Sequence, residues 1–130
     1  MATTYCANTD IDQIFGTTNV TLWARLADED DAATIAARKD EARNVAYDRI
    51  NDIIRGTTYT VPLANEAGNV PATIKDLEAR LAGVWLYEAR GCQDFNPKTG
   101  APYHRLAFVR TETRRILEEI RVGHRVIDAI

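Results

Sequence analysis

Apolar residues recur along this chain at helical rather than strand spacing. Thr9 followed by Asp10, Ile11 and Asp12 predicts a helix start, with acids beside the positive end of the helix dipole, and Gly16 ends that short turn. Val20, Trp23 and Leu26 then recur at three-residue spacing in a second short helix, which Thr18 or Asn19 can cap. A long helix follows over roughly 31–55, with the apolar stripe Ile35, Ala42, Val45, Ala46, Ile50 and Ile53 and a stop at Gly56. Pro71 suits the first position of the next helix, 71–90, whose inner face is Ile74, Leu77, Leu81, Val84 and Trp85 and whose end is Gly91. The last helix spans about 103–122. Its residues Leu106, Val109, Ile116, Leu117 and Ile120 fall within an arc of about 100°, and Gly123 closes it.

Between these segments the periodicity stops. In 57–70, Thr58, Tyr59, Thr60 and Val61 suit an extended backbone, Pro62 bars a central strand, and Asn65 and Gly68 are turn residues. Residues 92–102, with Pro97, Gly100 and Pro102, read as a loop, and His124–Ile130 as a short tail. The expected fold is all-α: a small helical bundle of about three long and two short helices, with an extended connector and a short C-terminal tail, in one domain over residues 1–130.

Composition fits that expectation. With 130 residues, 45% hydrophobic and 27% charged, the chain can bury an ordinary core, and wholesale disorder is excluded. Alanine fills 19 positions, so helices can approach closely but one copy buries limited area. That suits a subunit that completes its burial by assembly. No apolar run approaches the ~18 residues of a membrane span, and MATTYCANTD lacks a basic segment followed by an apolar one, so no membrane association or secretory signal is expected. Cys6 and Cys92 are too few for a disulfide framework or a four-cysteine zinc site and read as free thiols.

Charge is unevenly placed. Residues 1–31 hold Asp10, Asp12, Asp28, Glu29, Asp30 and Asp31 against Arg25 alone; residues 103–130 hold six arginines against four acids. The net charge of −3 argues against a global attraction to nucleic acid. The acidic front and basic back can attract between copies, head to tail, or within one copy.

Tests for chemistry are mostly negative. Read from Asp28, an EF-hand loop would need glycine sixth and glutamate twelfth, where Ala33 and Lys39 stand. The acidic run therefore reads as a loop whose last acid caps the helix. His104 and His124 have no ligand at metal spacing, no nucleophile or phosphate-loop motif is present, and Cys92 has no local base. No cofactor or metal is expected. Glu88 lies between Leu77 and Leu81 on the 71–90 wheel, where an unpaired carboxylate would be costly; Arg49, at the rim of the 31–55 stripe, is its expected partner across the interface. Arg110, Arg114, Arg121 and Arg125 share one arc if the last helix runs past Gly123, a face for an acidic partner or, less well, DNA. Phe108 points away from its helix's apolar stripe, so it is an exposed interface aromatic or the helix starts later.

Taken in order, four segments resemble one family. TYCANTDIDQIFGTTNVTLWA is similar to the opening of the small head–tail connector (adaptor, or head-completion) proteins of tailed bacteriophages. ARNVAYDRINDIIRGTTYTVPL resembles their amphipathic helix and the following connector, with Tyr59, Val61, Pro62 and Leu63 in the Y-x-hydrophobic-P-hydrophobic places. NVPATIKDLEARLAGVWLYEARG and RTETRRILEEIRVGHRVID resemble their last two helices. The loop 92–102 is longer than in that family, and the acidic run has no fixed role there. The resemblance implies a non-enzymatic virion protein, made in the host cytoplasm. It would form a ring of copies under the portal protein at the virion neck, extend the DNA channel without reading sequence, and bind a stopper or tail-completion protein. It also implies partner contacts at Tyr59, Val61, Pro62 and Leu63 and at Val126, Ile127 and Ile130 in the tail, which could dock on a neighbour or pack on its own subunit. Another neck or tail-completion component, or a small helical DNA-binding regulator, are the alternative expectations.

Overall fold

The computed structural model describes residues 4–25, 31–89 and 106–130. It is an all-helical bundle: α1 (Asn8–Phe15), α2 (Thr17–Ala24), α3 (Ala32–Ile54), α4 (Ala72–Ala89) and α5 (Leu106–Arg121), with no strand among the described residues. Leu26, Asp28–Asp30, the loop 92–102 with Cys92, and His104 lie outside them.

The helix boundaries follow local chemistry. The Asp10 carboxylate accepts the Ala7 N–H at 2.7 Å, so the first helix is fixed one turn inside its start. Gly16, at φ +91°, turns α1 directly into α2, so neither Thr18 nor Asn19 is the cap; Asn19 instead donates back to the Phe15 carbonyl. Asp31 caps α3 by accepting the Thr34 N–H at 2.8 Å, which holds its carboxyl below the usual range. At the end of α5, Gly123 (φ +85°) lets the N–H groups of Gly123 and His124 return to Ile120 and Glu119. This closure ends the helix at Arg121, so Arg125 is not on the α5 surface. The arc of four arginines expected from a longer helix is reduced to three.

α4 is the central element. Leu77, Glu78, Ala79, Leu81, Ala82, Gly83, Val84 and Leu86 are all buried, nearly the whole circumference of the helix. α1 and α3 pack on it directly, and α2 and α5 complete the bundle. Ile11, Ile50, Ile54, Ile74, Leu77, Leu86, Leu117 and Ile120 form the fully buried centre. Each stabilises the fold by roughly 1.5–3 kcal/mol relative to exposure. The α1–α4 crossing is close because position 83 is glycine: a Cβ there would lie 2.1 Å from the Phe15 ring. Phe15 meets Trp23 edge-on at 5.4 Å, and Trp23 meets Tyr87 at 5.3 Å. Trp85, expected inside, is half-buried, with the Arg38 guanidinium 4.8 Å above its ring.

Candidate functional site

The connector and the C-terminal tail form one edge of the bundle. The backbone turns at 65–69, where Gly68 N–H donates to the Asn65 carbonyl and the Asn65 side chain accepts the Asn69 N–H. Val61–Pro62 is cis. The tail lies along this segment: Thr60 N–H donates to the Ile130 carbonyl at 2.8 Å, and Ile130 N–H to the Ala64 carbonyl at 3.0 Å. Ile127 N–H donates to the Tyr59 hydroxyl at 3.2 Å, and Asn65 Nδ2 to Asp128 at 3.2 Å.

Of the residues expected to touch partners, Leu63 and Ile127 are buried in the chain's own core, at 1% and 8% exposure. They are corrected from contact residues to anchors of this edge. Tyr59 and Val61 are half-buried and Pro62 is exposed. Val126 is 84% exposed and Ile130 60%, with Val122 beside them at the end of α5. Between the connector and the end of α5 lies a cavity of about 460 Å³, lined in part by Tyr59, Val122 and Val126. The tail thus packs on its own connector through its backbone and Ile127 while presenting its other apolar side chains outward.

Phe108 is 70% exposed within α5, which removes the later helix start and leaves the exposed aromatic. It borders a groove between α4 and α5 with Leu77 and Ile116.

The Arg49–Glu88 pair does not form. Glu88, in the last turn of α4, instead accepts from Arg110, in the first turns of α5, at 2.5 Å. Both side chains are about one-third exposed. The antiparallel α4–α5 arrangement brings these two helix ends together, a tertiary relation invisible on either wheel alone. Arg121 pairs with Glu118, and Arg125 with Glu119, across exposed surface. Arg115 is shared by Glu112 and Glu119. On α3, Arg38 and Arg43 pair with Glu41 and Asp40. Among the described residues, Arg49 and Arg114 are the arginines of α3 and α5 without an ion pair. Both line a pocket of about 310 Å³ with Trp85, Glu88, Ala89 and Arg110.

The buried acid is Glu78, which the helical wheel did not single out. It is fully buried, and its two carboxylate oxygens accept the Tyr5 and Cys6 N–H groups, each at 2.9 Å. Burial raises its carboxyl above the ordinary value, against the pull of these donors and of Arg43. Arg43 donates to Asn8 at 2.6 Å, to the Cys6 carbonyl at 2.7 Å and to Asp40 at 2.7 Å. The Tyr5 hydroxyl accepts the Leu63 N–H at 2.9 Å and donates to Asn51. Glu78 therefore staples the N-terminal segment to the core. Burial, followed by the neighbouring Glu78, pushes the Cys6 thiol far up, so it remains protonated and packs as a core residue. The sequence signal for Glu78 was present: Ile74, Leu81 and Ala82 flank it at helical spacing.

Among the described residues, no three His, Cys, Asp or Glu side chains converge as metal ligands. No helix there is long and apolar enough to cross a membrane. No protein-family model matches the chain, and no curated protein matches it closely enough to serve as a relative.

Proposed function

We propose that this chain is a structural subunit of the tailed-phage neck. Copies assemble into a ring beneath the portal protein, continue the DNA channel and receive a stopper or tail-completion protein on the opposite face. The observation that carries the reading is the tail–connector edge, where Val126 and Ile130 are held outward by a backbone tied down at Thr60 and Ala64. Solvent-exposed apolar side chains on an ordered edge gain free energy when a neighbour covers them. The order of four sequence segments, running through nearly the whole chain, supports the same reading. Its site is the virion neck, with synthesis in the host cytoplasm, and passing DNA is accommodated without base recognition. The reading requires no enzymatic activity.

A DNA-binding regulator gains little from the basic helix, because Arg110, Arg115 and Arg121 are engaged by carboxylates, which leaves Arg114 as the α5 arginine without an ion pair among the described residues. The test mixes purified protein with portal rings of the same virion and images the product by electron microscopy. A second ring stacked on the portal is expected, and Val126→Asp combined with Ile130→Asp abolishes it. A portal that stays bare with the unaltered protein refutes the reading.

A further inference from the structure

The tail–connector edge is tied to the rest of the bundle through one side chain from the far end of the chain. Thr60 and Ala64 bracket the stretch on which the tail lies: the Thr60 N–H donates to the Ile130 carbonyl, and the Ile130 N–H to the Ala64 carbonyl. Between them, the Leu63 N–H donates to the Tyr5 hydroxyl at 2.9 Å. Among the described residues, this is the one hydrogen bond that joins residues 60–64 to anything other than the tail.

Tyr5 is itself held on two helices. Its N–H is fixed to α4 by the Glu78 carboxylate at 2.9 Å, and its hydroxyl donates to the Asn51 side chain on α3. Its ring is buried, with the Tyr47 ring 4.8 Å away. Burial raises the hydroxyl above its usual value, so it keeps its proton and accepts from Leu63 while donating to Asn51. In such a relay, N–H to hydroxyl to amide, each bond polarises and strengthens the other. Leu63 is also buried through its apolar side chain. That burial is non-directional and keeps the connector on the core. The hydrogen bond is directional and fixes where the connector's backbone groups stand.

We infer that the Tyr5 hydroxyl is the positioning group of the tail–connector edge. It holds the backbone at Leu63, that backbone holds the tail at Thr60 and Ala64, and the tail then presents Val126 and Ile130 outward in one arrangement. The consequence for assembly rests on the neck reading above; the coupling of Tyr5 to the tail does not.

Amide exchange of the full chain, resolved by residue, tests the coupling without a partner. Tyr5→Phe keeps the ring and the Glu78 bonds and removes only the hydroxyl. The Thr60, Leu63 and Ile130 amides should then exchange about tenfold or more faster, as loss of one buried hydrogen bond produces. The amides of residues 5 and 6 should still open only with the whole fold. Asn51→Ala cuts the relay from its other end and should speed the same three amides. Gly83→Ala is the control: it weakens the fold elsewhere, at the Phe15 contact, and should leave the three rates unchanged. Unchanged rates in a folded Tyr5→Phe variant, or in Asn51→Ala where that variant alone folds, overturn the coupling. So does an equal rise in Gly83→Ala. Stacking on portal rings is read separately. Folded Tyr5→Phe should stack about tenfold less tightly although Val126 and Ile130 are intact; equal stacking with faster exchange overturns the positioning role. A portal left bare by the unaltered protein overturns the neck reading alone, because the exchange rates are measured without it.

Discussion

The N-terminal segment Thr4–Ala7 and the C-terminal tail His124–Ile130 are both short irregular ends packed against the same bundle, yet they are held differently. The first is fixed from below by a fully buried carboxylate, from the side by a guanidinium with several acceptors, and through Tyr5 to the connector. The second is held by backbone bonds to the connector and to the end of α5, by the exposed Asn65–Asp128 and Arg125–Glu119 contacts, and by one buried side chain, Ile127, while Val126 and Ile130 face solvent. Buried, charge-assisted hydrogen bonds are costly to break, whereas exposed backbone bonds compete with water. One end is therefore part of the fold, and the other is a surface the fold displays.

That contrast can be broken at several points. Glu78→Ala leaves two buried N–H groups without an acceptor and is expected to cost about 3 kcal/mol or more, since each orphaned donor costs roughly 1–3 kcal/mol; urea unfolding measures it. Glu78→Gln keeps the shape but replaces one acceptor by a donor, so it also destabilises. Its pH dependence sharpens the point. Burial raises the Glu78 carboxyl above its ordinary 4.5, so the folded chain holds that proton more tightly than the unfolded chain does. This contribution is full below the unfolded value and is lost as pH rises through the folded one. The stability gap between the unaltered protein and Glu78→Gln should narrow as pH rises from about 4 to 7. A gap that widens would mean that the two N–H donors outweigh burial.

Gly83→Ala attacks the seat of the N-terminal half, where the added methyl meets the Phe15 ring. A loss of about 2 kcal/mol is expected, in the usual range for overpacking and despite the helix propensity gained. Thermal unfolding with loss of the near-ultraviolet aromatic signal from Trp23 reads it. On the tail, Ile127→Ala should cost about 1–2 kcal/mol, less than a central core truncation because the site lies at the bundle's edge. The smallest effect on stability belongs to Val126→Ser with Ile130→Ser, within about 0.5 kcal/mol. That pair should nonetheless reduce capture by portal rings. If it destabilised as much as Ile127→Ala, the exposed side chains would be part of the core after all.

The helices were legible because their causes are local. Gly16, Gly56 and Gly123 sit where the chain needs a positive φ, and Asp31 offers its carboxylate to the first turn of α3. The stripe on α5 was readable because that helix buries one face, through Leu117 and Ile120. On α4 the same method failed. A helix buried around most of its circumference has no single stripe, so the wheel singled out Glu88 at the helix end over Glu78 in the centre. What settles Glu78 is the arrival of Tyr5 and Cys6 backbone donors from more than 70 residues away in sequence. The partner of Glu88 was likewise set by the α4–α5 antiparallel contact rather than by spacing within either helix. The tail could be recognised as apolar, but only the fold decides that Ile127 turns inward while Val126 and Ile130 turn out.

Amide hydrogen exchange, alone and with portal rings, tests the central claim most directly, because it reads both ends of the chain in one experiment. In the free protein, the Tyr5 and Cys6 amides should exchange only with global unfolding, and those of Thr60, Ile127 and Ile130 much faster. Adding portal rings should slow exchange across 126–130 and in the connector and leave the N-terminal segment unchanged. Equal protection at the two ends of the free protein, or a tail whose exchange ignores the portal, would contradict the account.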